Sequence, residues 1–340
     1  MTSAPRRTRV LTNPPVRVPS PNATVALLVD ALPAEIDVVD FSWRRALFGS
    51  YDVLHVHWPE FVVRHRSRGG TIAKRALFAL LLARLRLGLG GVRSVWTVHN
   101  LRPHEDGGRL ERALLAAWES VASARVYMYE SVAPTDARAR VIRRGDYEPT
   151  FGAQRDGWSG ERSPGRLLQF GLLRPYKGAE SLLAAVRSAA EPFSARIVGA
   201  AASPEYAAQL EALAAGDDRA SVAALHLDDA ALAAEILAAE AVVLPYREMY
   251  NSGAALLALT LGRPIVVPES ATMRELRGEA GSEWVHLYAG ELSGETLDRD
   301  VSAFLALDRG TRPVLEHRRW LEVGQRYAQL YRELAAGTRR

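Results

Sequence analysis

Short apolar runs rich in β-branched residues alternate with longer helical stretches, and this alternation occurs twice along the chain. Such a pattern is typical of parallel sheets covered by helices. The predicted strands of the first half are 9–12, 36–41, 52–57, 94–99, 125–129 and 140–143, and those of the second half are 167–170, 195–198, 221–225, 241–244 and 264–267. The sequence therefore predicts an α/β protein with two Rossmann-like domains.

Residues 152–165 separate the two halves and contain four glycines and one proline, without any hydrophobic period. This composition favours an interdomain linker. We therefore predict a first domain over 1–151 and a second domain over 166–311. A last helical stretch, 312–340, carries Trp320, Tyr327 and Tyr331.

Composition excludes several classes of function. The chain has no cysteine, which excludes disulfides, thiolate zinc sites and cysteine nucleophiles. It begins without the apolar core of a secretory signal, and no run approaches the roughly 18 apolar residues of a membrane span. With 48% hydrophobic and 24% charged residues, the chain has the composition of a soluble globular protein. A cytoplasmic location is the expectation.

Charge is distributed unevenly along the chain. Residues 1–150 contain 22 Arg and Lys against 14 Asp and Glu, a net charge of +8, whereas the remainder has a net charge of −4. The basic half is therefore expected to meet an anionic partner. Nucleic acid is not predicted, because the aromatic and glycine patterning of common nucleic-acid modules is missing. An anionic membrane surface or a phosphorylated acceptor fits better.

The segment 169–178, Q-F-G-L-L-R-P-Y-K-G, ends a predicted strand, turns at Gly171 and leads into a helix. Ligands of open α/β sheets bind at the carboxyl ends of strands, where a helix N-terminus favours an anion. Arg174 and Lys177 would there neutralise a diphosphate and stabilise a departing nucleotide. The alternative is a solvated basic turn.

The segment 244–253, L-P-Y-R-E-M-Y-N-S-G, has the same arrangement in front of a helix of small residues. Asn251 and Ser252 are good helix caps, and Gly253 allows a ligand to approach the backbone. Glu248 lies just upstream, where its carboxylate could bind sugar hydroxyls. The alternative is a plain capping signal without a ligand.

These segments resemble a known family when they are taken in order. F-G-x-x-R-P-Y-K-G, L-P-Y-x-x-x-x-N-S-G and A-L-x-x-G-R-P-I-V-V-P resemble the donor half of GT-B glycosyltransferases. In the first half, Y-D-V-L-H-V-H-W-P-E and T-V-H-N-L-R-P-H-E resemble the acceptor half of bacterial polysaccharide and glycolipid transferases. The resemblance covers nearly the whole chain.

The resemblance implies a GT-B architecture, in which two domains face each other across a cleft and the last helix crosses back to the first domain. It implies a nucleotide-sugar donor, UDP- or GDP-linked, and a saccharide or lipid-linked acceptor. It places the donor diphosphate on Arg174 and Lys177, and its phosphates also on Asn251, Ser252 and Gly253. Gly171, Glu248 and Tyr250 complete the predicted donor site, and the predicted acceptor residues are His57, Trp58, His99 and Asn100.

One departure from the family concerns the mechanism. The large retaining GT-B family has an E-x₇-E signature whose second glutamate holds the ribose, and that position is Leu257 here. The first glutamate falls on Met249, where the neighbouring Glu248 could substitute for it. Retention of configuration is therefore not implied, and inversion is slightly favoured.

Inversion requires a base that removes the acceptor proton as the hydroxyl attacks the anomeric carbon. Glu105 is the preferred base, with Glu60, Asp106 and His104 as rivals, because all four follow predicted strand ends of the first half. No cofactor or metal is predicted: His55 and His57 share one strand face, but no third ligand is evident. Each histidine taken alone could equally be a core or turn residue.

The region from Arg64 to Arg86 combines basic residues with the apolar run 76–83. The run is too short to span a bilayer but suits a helix lying in the membrane surface, which would make the protein peripheral on the inner face. The alternative is a core helix with a solvated basic end.

Two further alternatives stay open for the whole chain. A nucleotide-sugar epimerase or hydrolase would share the fold, and a non-catalytic nucleotide-sugar-binding subunit is compatible with the missing glutamate. The presence of both Arg174 and Lys177 argues against a non-catalytic subunit.

Overall fold

A computed structural model describes residues 7–19, 22–100, 107–247, 249, 251–305 and 311–337, and for 300–305 it describes the backbone alone. The chain divides into two compact units. The first unit contains residues up to Gly145 and from His317 onward, and the second contains Asp146–Glu316.

The first unit is built on a six-stranded sheet in which every pairing is parallel. Its strands are β1 (Thr8–Asn13), β2 (Ile36–Asp40), β3 (Val53–Val56), β4 (Arg93–Thr97), β5 (Ala124–Tyr127) and β6 (Ala139–Val141). They lie in the order β2-β1-β3-β4-β5-β6. All residues of β3 and β5 are buried, as expected for strands covered by helices on both faces.

Five helices connect these strands: α1 (Ala23–Ala31), α2 (Trp43–Phe48), α3 (Pro59–Val63), α4 (Arg68–Arg86) and α5 (Gly108–Val121). Three of them begin where a side chain caps a free backbone N–H. Asn22 accepts from Val25, Ser42 from Arg45 and Ser67 from Gly70. These local signals fix where the helices leave the sheet.

The second unit begins with α6 (Glu148–Asp156) and repeats the alternation with a second six-stranded parallel sheet. The elements are β7 (Arg166–Phe170), α7 (Ala179–Ser188), β8 (Ser194–Val198), α8 (Pro204–Ala214), β9 (Ala220–Ala223), α9 (Asp229–Ala238), β10 (Ala241–Val243), α10 (Gly253–Thr260), β11 (Ile265–Pro268), α11 (Ala271–Ala280), β12 (Val285–Tyr288) and α12 (Gly294–Leu305). The strand order is β12-β11-β10-β7-β8-β9.

The last helix, α13 (Trp320–Ala336), belongs to the first unit. Val323, Tyr327 and Tyr331 share one buried cluster with Leu28 of α1 and Val53 of β3. The chain thus returns after the second sheet to complete the core of the first unit.

Two boundaries and three elements differ from the sequence prediction. The predicted linker 152–165 overlaps the end of α6, in which Phe151 is buried and Arg155 pairs with Glu148, so Gly152 is helical and only 157–165 lacks helix and strand. The predicted terminal helix 312–340 begins only at Trp320, after a short 3-10 turn at Glu316–Arg318. The elements α11, β12 and α12 were not predicted. Strand β12 has only four residues, two of which are partly exposed, so its sequence lacks a clear hydrophobic pattern.

Candidate functional site

The first candidate site lies at the carboxyl edge of the second sheet, between β7 and β10. These strands are neighbours, but β7 leads to β8 on one side and β10 leads to β11 on the other. A strand order that reverses in this way opens a crevice at the strand ends, which is where ligands of α/β sheets bind. The loops 171–178 and 244–252 leave the sheet at this point.

The two loops are fixed to each other by backbone contacts. The Arg247 N–H donates a hydrogen bond to Tyr176 O at 2.9 Å. Gly178 has φ +65°, and a Cβ there would lie only 2.3 Å from Pro245 O, so no other residue fits without a shift. We call this pair of joined loops, 171–178 and 244–253, the donor cradle.

The Lys177 ammonium is destabilised by its surroundings in the donor cradle. Its Nζ lies 5.2 Å from the centre of the Tyr246 ring, a cation–π contact. Gly171 leaves room for the ammonium, since a Cβ there would lie 3.3 Å from Nζ. Burial, followed by the neighbouring Arg174, lowers the pKa of Lys177 to about 8. A bound anion would reverse this destabilisation of the cation.

The start of α10 supplies the other half of the donor cradle. Ser252 is buried and its Oγ accepts the Ala255 N–H at 3.2 Å, so the residue is a true N-cap in front of Gly253. Asn251 Oδ1 is buried without a hydrogen-bond partner among the described residues. The predicted donor residues Glu248 and Tyr250 lie outside the described residues. The other six predicted donor residues meet at this edge.

The second candidate site lies at the carboxyl ends of β3 and β4 in the first unit. His57 follows β3 and His99 follows β4, and His57 Nδ1 is hydrogen-bonded to His99 Nε2 at 2.9 Å. Trp58 stacks on His99 with ring centres 4.1 Å apart and planes 19° apart. The histidines predicted from separate motifs therefore form one pair.

Burial makes these histidines neutral. Desolvation lowers the pKa of His57 to about 3 and that of His99 well below its usual range. His57 Nε2 has no hydrogen-bond partner in the described part of the chain. A neutral imidazole of such low basicity suits a hydrogen bond with a ligand hydroxyl better than it suits general-base catalysis.

His55 has a structural role in the same network. Its Nδ1 lies 2.7 Å from the Tyr331 hydroxyl, and its Nε2 lies 2.8 Å from Thr97 Oγ1. Thr97 is in turn hydrogen-bonded to the Tyr327 hydroxyl at 2.9 Å. Since both ring nitrogens of His55 are engaged, this residue ties α13 to the sheet.

A pocket of about 230 Å³ opens beside the histidine pair. His57, Trp58, Glu60 and Asn100 line it from the strand ends, and Arg112 lines it from α5. Aromatic faces with carboxylate, amide and guanidinium groups are the chemistry that binds a saccharide ring. We call this space the acceptor pocket.

Only one of the four predicted catalytic residues can be placed. Glu60 stands in the first turn of α3 and lines the acceptor pocket. His104, Glu105 and Asp106 lie outside the described residues. Arg112 and Tyr246 were not predicted as site residues. Tyr246 could have been found because it closely follows β10, whereas Arg112 lies on α5 and reaches the pocket only through helix packing.

Several basic residues in and before α4, predicted to face an anionic membrane, instead make contacts within the first unit. Arg64 and Arg75 both pair with the buried Glu111, at 2.6 and 2.9 Å. Arg84 donates to the carbonyl oxygens of Ala46 and Gly49, both at 2.8 Å. These arginines therefore hold the unit together, and the exposed cations are Arg66, Arg68 and Arg86.

No protein-family model matches the chain. Two GDP-mannose:glycolipid 4-β-D-mannosyltransferases from Xanthomonas campestris pv. campestris are similar to it. One is 42% identical over 314 residues, which cover 92% of this chain and 88% of the relative. The other is 41% identical over a stretch of the same length.

Solved structures show the same fold at low sequence identity. An α,α-trehalose-phosphate synthase (UDP-forming) from Burkholderia xenovorans has a TM-score of 0.59 at 12% identity, covering 96% of this chain and 99% of the other. A glycosyltransferase involved in avilamycin A biosynthesis has a TM-score of 0.57 at 16% identity, covering 97% and 98%. Anabaena HepE in complex with UDP-glucose has a TM-score of 0.56 at 13% identity, covering 98% of both chains.

The two parallel sheets, the donor cradle and these likenesses define a glycosyltransferase of the GT-B fold, as the sequence predicted. Such an enzyme transfers a sugar from a nucleotide-sugar donor. The chain belongs to the glycosyltransferase family that contains the two Xanthomonas mannosyltransferases. The enzyme assignment replaces the alternative of a non-catalytic binding subunit.

Proposed function

We propose that this enzyme transfers mannose from GDP-mannose to a glycolipid acceptor and forms a β-linkage. The observation that carries the proposal is the 42% identity to an enzyme named for this reaction over 92% of the chain. The donor cradle and the acceptor pocket supply the groups that such a reaction needs. Because mannose is α-linked in GDP-mannose, a β-linked product requires inversion.

The donor diphosphate is assigned to the donor cradle. Arg174 and Lys177 neutralise it from one loop, and the N-terminus of α10 with its Ser252 cap binds it from the other. Negative charge grows on the diphosphate as the glycosidic bond breaks, so fixed cations stabilise the transition state more than the ground state. Asn251 supplies a further polar group, and Gly171 keeps the space open for the Lys177 ammonium.

These cations also support a reaction that needs no metal. Arg174 and Lys177 would take over the charge neutralisation that a divalent cation provides in other transferases. Metal independence is therefore part of the proposal.

The acceptor sugar is assigned to the acceptor pocket, where Trp58 offers an aromatic face and His57 Nε2 offers a hydrogen-bonding nitrogen. In the inverting step the acceptor oxygen bonds to the anomeric carbon, the bond from that carbon to the diphosphate breaks, and a carboxylate takes the hydroxyl proton. Glu105 remains the preferred base, with Asp106, His104 and Glu60 as rivals. Among these rivals, Glu60 lines the acceptor pocket.

A membrane surface is proposed as a further partner because the exposed face of α4 is apolar. Ile72 is 70% exposed, Leu80 58% and Leu87 71%. They lie on one helix face with the exposed Ala76 and Ala83. An apolar stripe flanked by exposed arginines fits the interface of an anionic bilayer.

On α2 and α3, two helices that contact α4, Phe48 is 83% exposed and Phe61 62% exposed. No helix in the described ranges has the length and apolar content needed to cross a bilayer. Attachment would therefore use the stripe on α4 and its neighbours, with the enzyme peripheral on the cytoplasmic face where nucleotide sugars are available.

A donor panel tests the proposed reaction. The enzyme is incubated with GDP-mannose, GDP-glucose and UDP-glucose, with and without bacterial membrane lipid extract, and nucleotide release is measured. We expect release from GDP-mannose that requires the lipid. Release that is equal with and without lipid would indicate hydrolysis, and release from UDP-glucose alone would contradict the proposed donor.

A further inference from the structure

One strand of the second sheet carries a polar side chain in its apolar interior. Gln169 belongs to β7, the strand that ends at the donor cradle, and it is fully buried. The residues around it in the strand, Leu167, Leu168 and Phe170, are buried and apolar. Burial of an amide costs free energy unless its hydrogen bonds with water are replaced, so this side chain needs a physical reason.

The hydrogen bond that the Gln169 amide donates goes to the donor cradle. Its Nε2 lies 2.9 Å from Lys177 O. Since a carbonyl oxygen only accepts, this bond fixes which end of the amide faces the cradle. The other end, Oε1, is buried without a hydrogen-bond partner among the described residues. An apolar side chain would leave no such atom, so the amide costs stability where a leucine or methionine would not.

The bond restrains the peptide group that Lys177 shares with Gly178. Glycine can adopt several backbone conformations, so this peptide group has little restraint of its own. On one side, the Gly178 N–H makes a long hydrogen bond to Pro175 O, at 3.2 Å. On the other side, the bond from Gln169 is 2.9 Å long and is therefore the stronger restraint.

The Lys177 side chain extends from this restrained backbone. Its ammonium lies 5.2 Å from the centre of the Tyr246 ring, beside the space that Gly171 leaves open. Stabilisation of a departing diphosphate depends on how far the cation is from it, because Coulomb energy falls with distance. A turn of the peptide group would move the ammonium from this place, so the rate should depend on the Gln169 amide.

We infer that Gln169 is a positioning residue for sugar transfer, whose amide holds the Lys177 backbone so that the ammonium faces the donor diphosphate. The inference rests on the proposed function, because it concerns the cation that is assigned there to the diphosphate. Gln169 is assigned no contact with the substrate. It acts through Lys177.

A double-mutant cycle in the full-length enzyme tests this role. Initial rates with GDP-mannose and membrane lipid extract are measured for the wild type, Gln169→Met, Lys177→Ala and the double variant. Methionine is unbranched like glutamine but cannot donate to Lys177 O. Gln169→Met should lower kcat about tenfold and change the KM for the donor less than about threefold. In the Lys177→Ala enzyme it should have no further effect, since a positioning residue acts only through the residue that it positions.

Two further measurements distinguish positioning from a general loss of structure. Gln169→Met should unfold at the same urea concentration as the wild type or at a higher one, because Oε1 is removed together with the donor. Burial lowers the pKa of Lys177 to about 8, and an ammonium released from this place should regain a higher pKa. The KM for the donor should therefore begin to rise at a higher pH in Gln169→Met than in the wild type. Gln169→Leu, which also lacks the donor, should behave in the same way.

Thr260→Val is the matched control, because it removes a buried side-chain hydrogen bond at the far end of α10 from the donor cradle. Thr260 Oγ1 donates to Leu256 O at 2.8 Å and accepts the Tyr147 N–H at 3.2 Å. This variant should unfold at a lower urea concentration than the wild type. Its kcat and its KM for the donor should be those of the wild type.

Equal losses of kcat from Gln169→Met in the wild type and in the Lys177→Ala enzyme would overturn the inference, since Gln169 would then act independently of Lys177. A Gln169→Met enzyme with the wild-type kcat would also overturn it. In both cases the loss caused by Lys177→Ala would stand, and only this inference would fail. If Lys177→Ala itself left kcat/KM unchanged, the assignment of Lys177 to the diphosphate in the proposed function would fail as well.

Discussion

The donor cradle and the acceptor pocket are both built at the carboxyl ends of parallel strands, but they use opposite electrostatics. The donor cradle gathers two cations and a helix N-terminus around an opening, and burial destabilises the charge of Lys177. The acceptor pocket is bordered by histidines that burial keeps neutral and that bond to each other. The first arrangement suits an anion whose charge grows during reaction, and the second suits uncharged hydroxyls.

Removing the donor-side charge should have the largest effect. Lys177→Ala is expected to lower kcat/KM about 100-fold or more, because a cation aimed at the leaving diphosphate is lost. Steady-state kinetics with GDP-mannose and lipid extract measure it. Arg274→Ala is the control: Arg274 forms an exposed pair with Glu269 and should leave the rate unchanged. If Lys177→Ala lowered kcat/KM only slightly, the donor cradle would not depend on its cations, which would contradict the contrast with the acceptor pocket.

Breaking the neutral network on the acceptor side should instead reduce stability. Tyr331→Phe leaves His55 Nδ1 buried without its partner at 2.7 Å, which should lower the free energy of unfolding by about 1–3 kcal/mol. Urea denaturation measures the loss. Tyr176→Phe, at a residue outside this network, is the comparison variant. A Tyr331→Phe enzyme of unchanged stability would mean that the network does not hold α13 in place.

The two sites should also differ in their response to pH. The pKa of Lys177 in the free enzyme is about 8, so its charge is present below that pH and is lost above it. The KM for the donor should therefore rise about tenfold per pH unit above 8. His57, with a pKa of about 3, should not titrate between pH 5 and 8. In Lys177→Arg the KM for the donor should no longer rise above pH 8. If the KM still rose, a group other than Lys177 would be the one that titrates.

The smallest expected effect concerns the face of α4. Leu80→Glu should weaken binding to vesicles containing phosphatidylglycerol about tenfold, because burial of one leucine contributes about 1.5–3 kcal/mol. Leu321→Glu is the matched control, since Leu321 is 69% exposed on α13. Co-sedimentation compares the two. Equal pelleting of both variants would argue against membrane contact through α4.

The sequence predicted the two α/β halves because strands, turns and caps are local signals. It also predicted most of the donor cradle, since the residues of each loop are adjacent in sequence. It did not predict the pairing of His57 with His99, nor that Arg64 and Arg75 would share Glu111, because strand order and helix packing bring these residues together. The predicted linker began too early because Gly152 suggested irregular backbone, whereas Phe151 is buried and Arg155 pairs with Glu148 in α6.

Transfer of labelled mannose from GDP-mannose into a lipid-soluble product is the most direct test of the central claim. We expect label to enter the organic phase in an amount equal to the GDP released, and to do so also when divalent cations are chelated. Release of GDP with free mannose, or without any labelled lipid, would contradict a glycosyltransferase that uses a glycolipid acceptor.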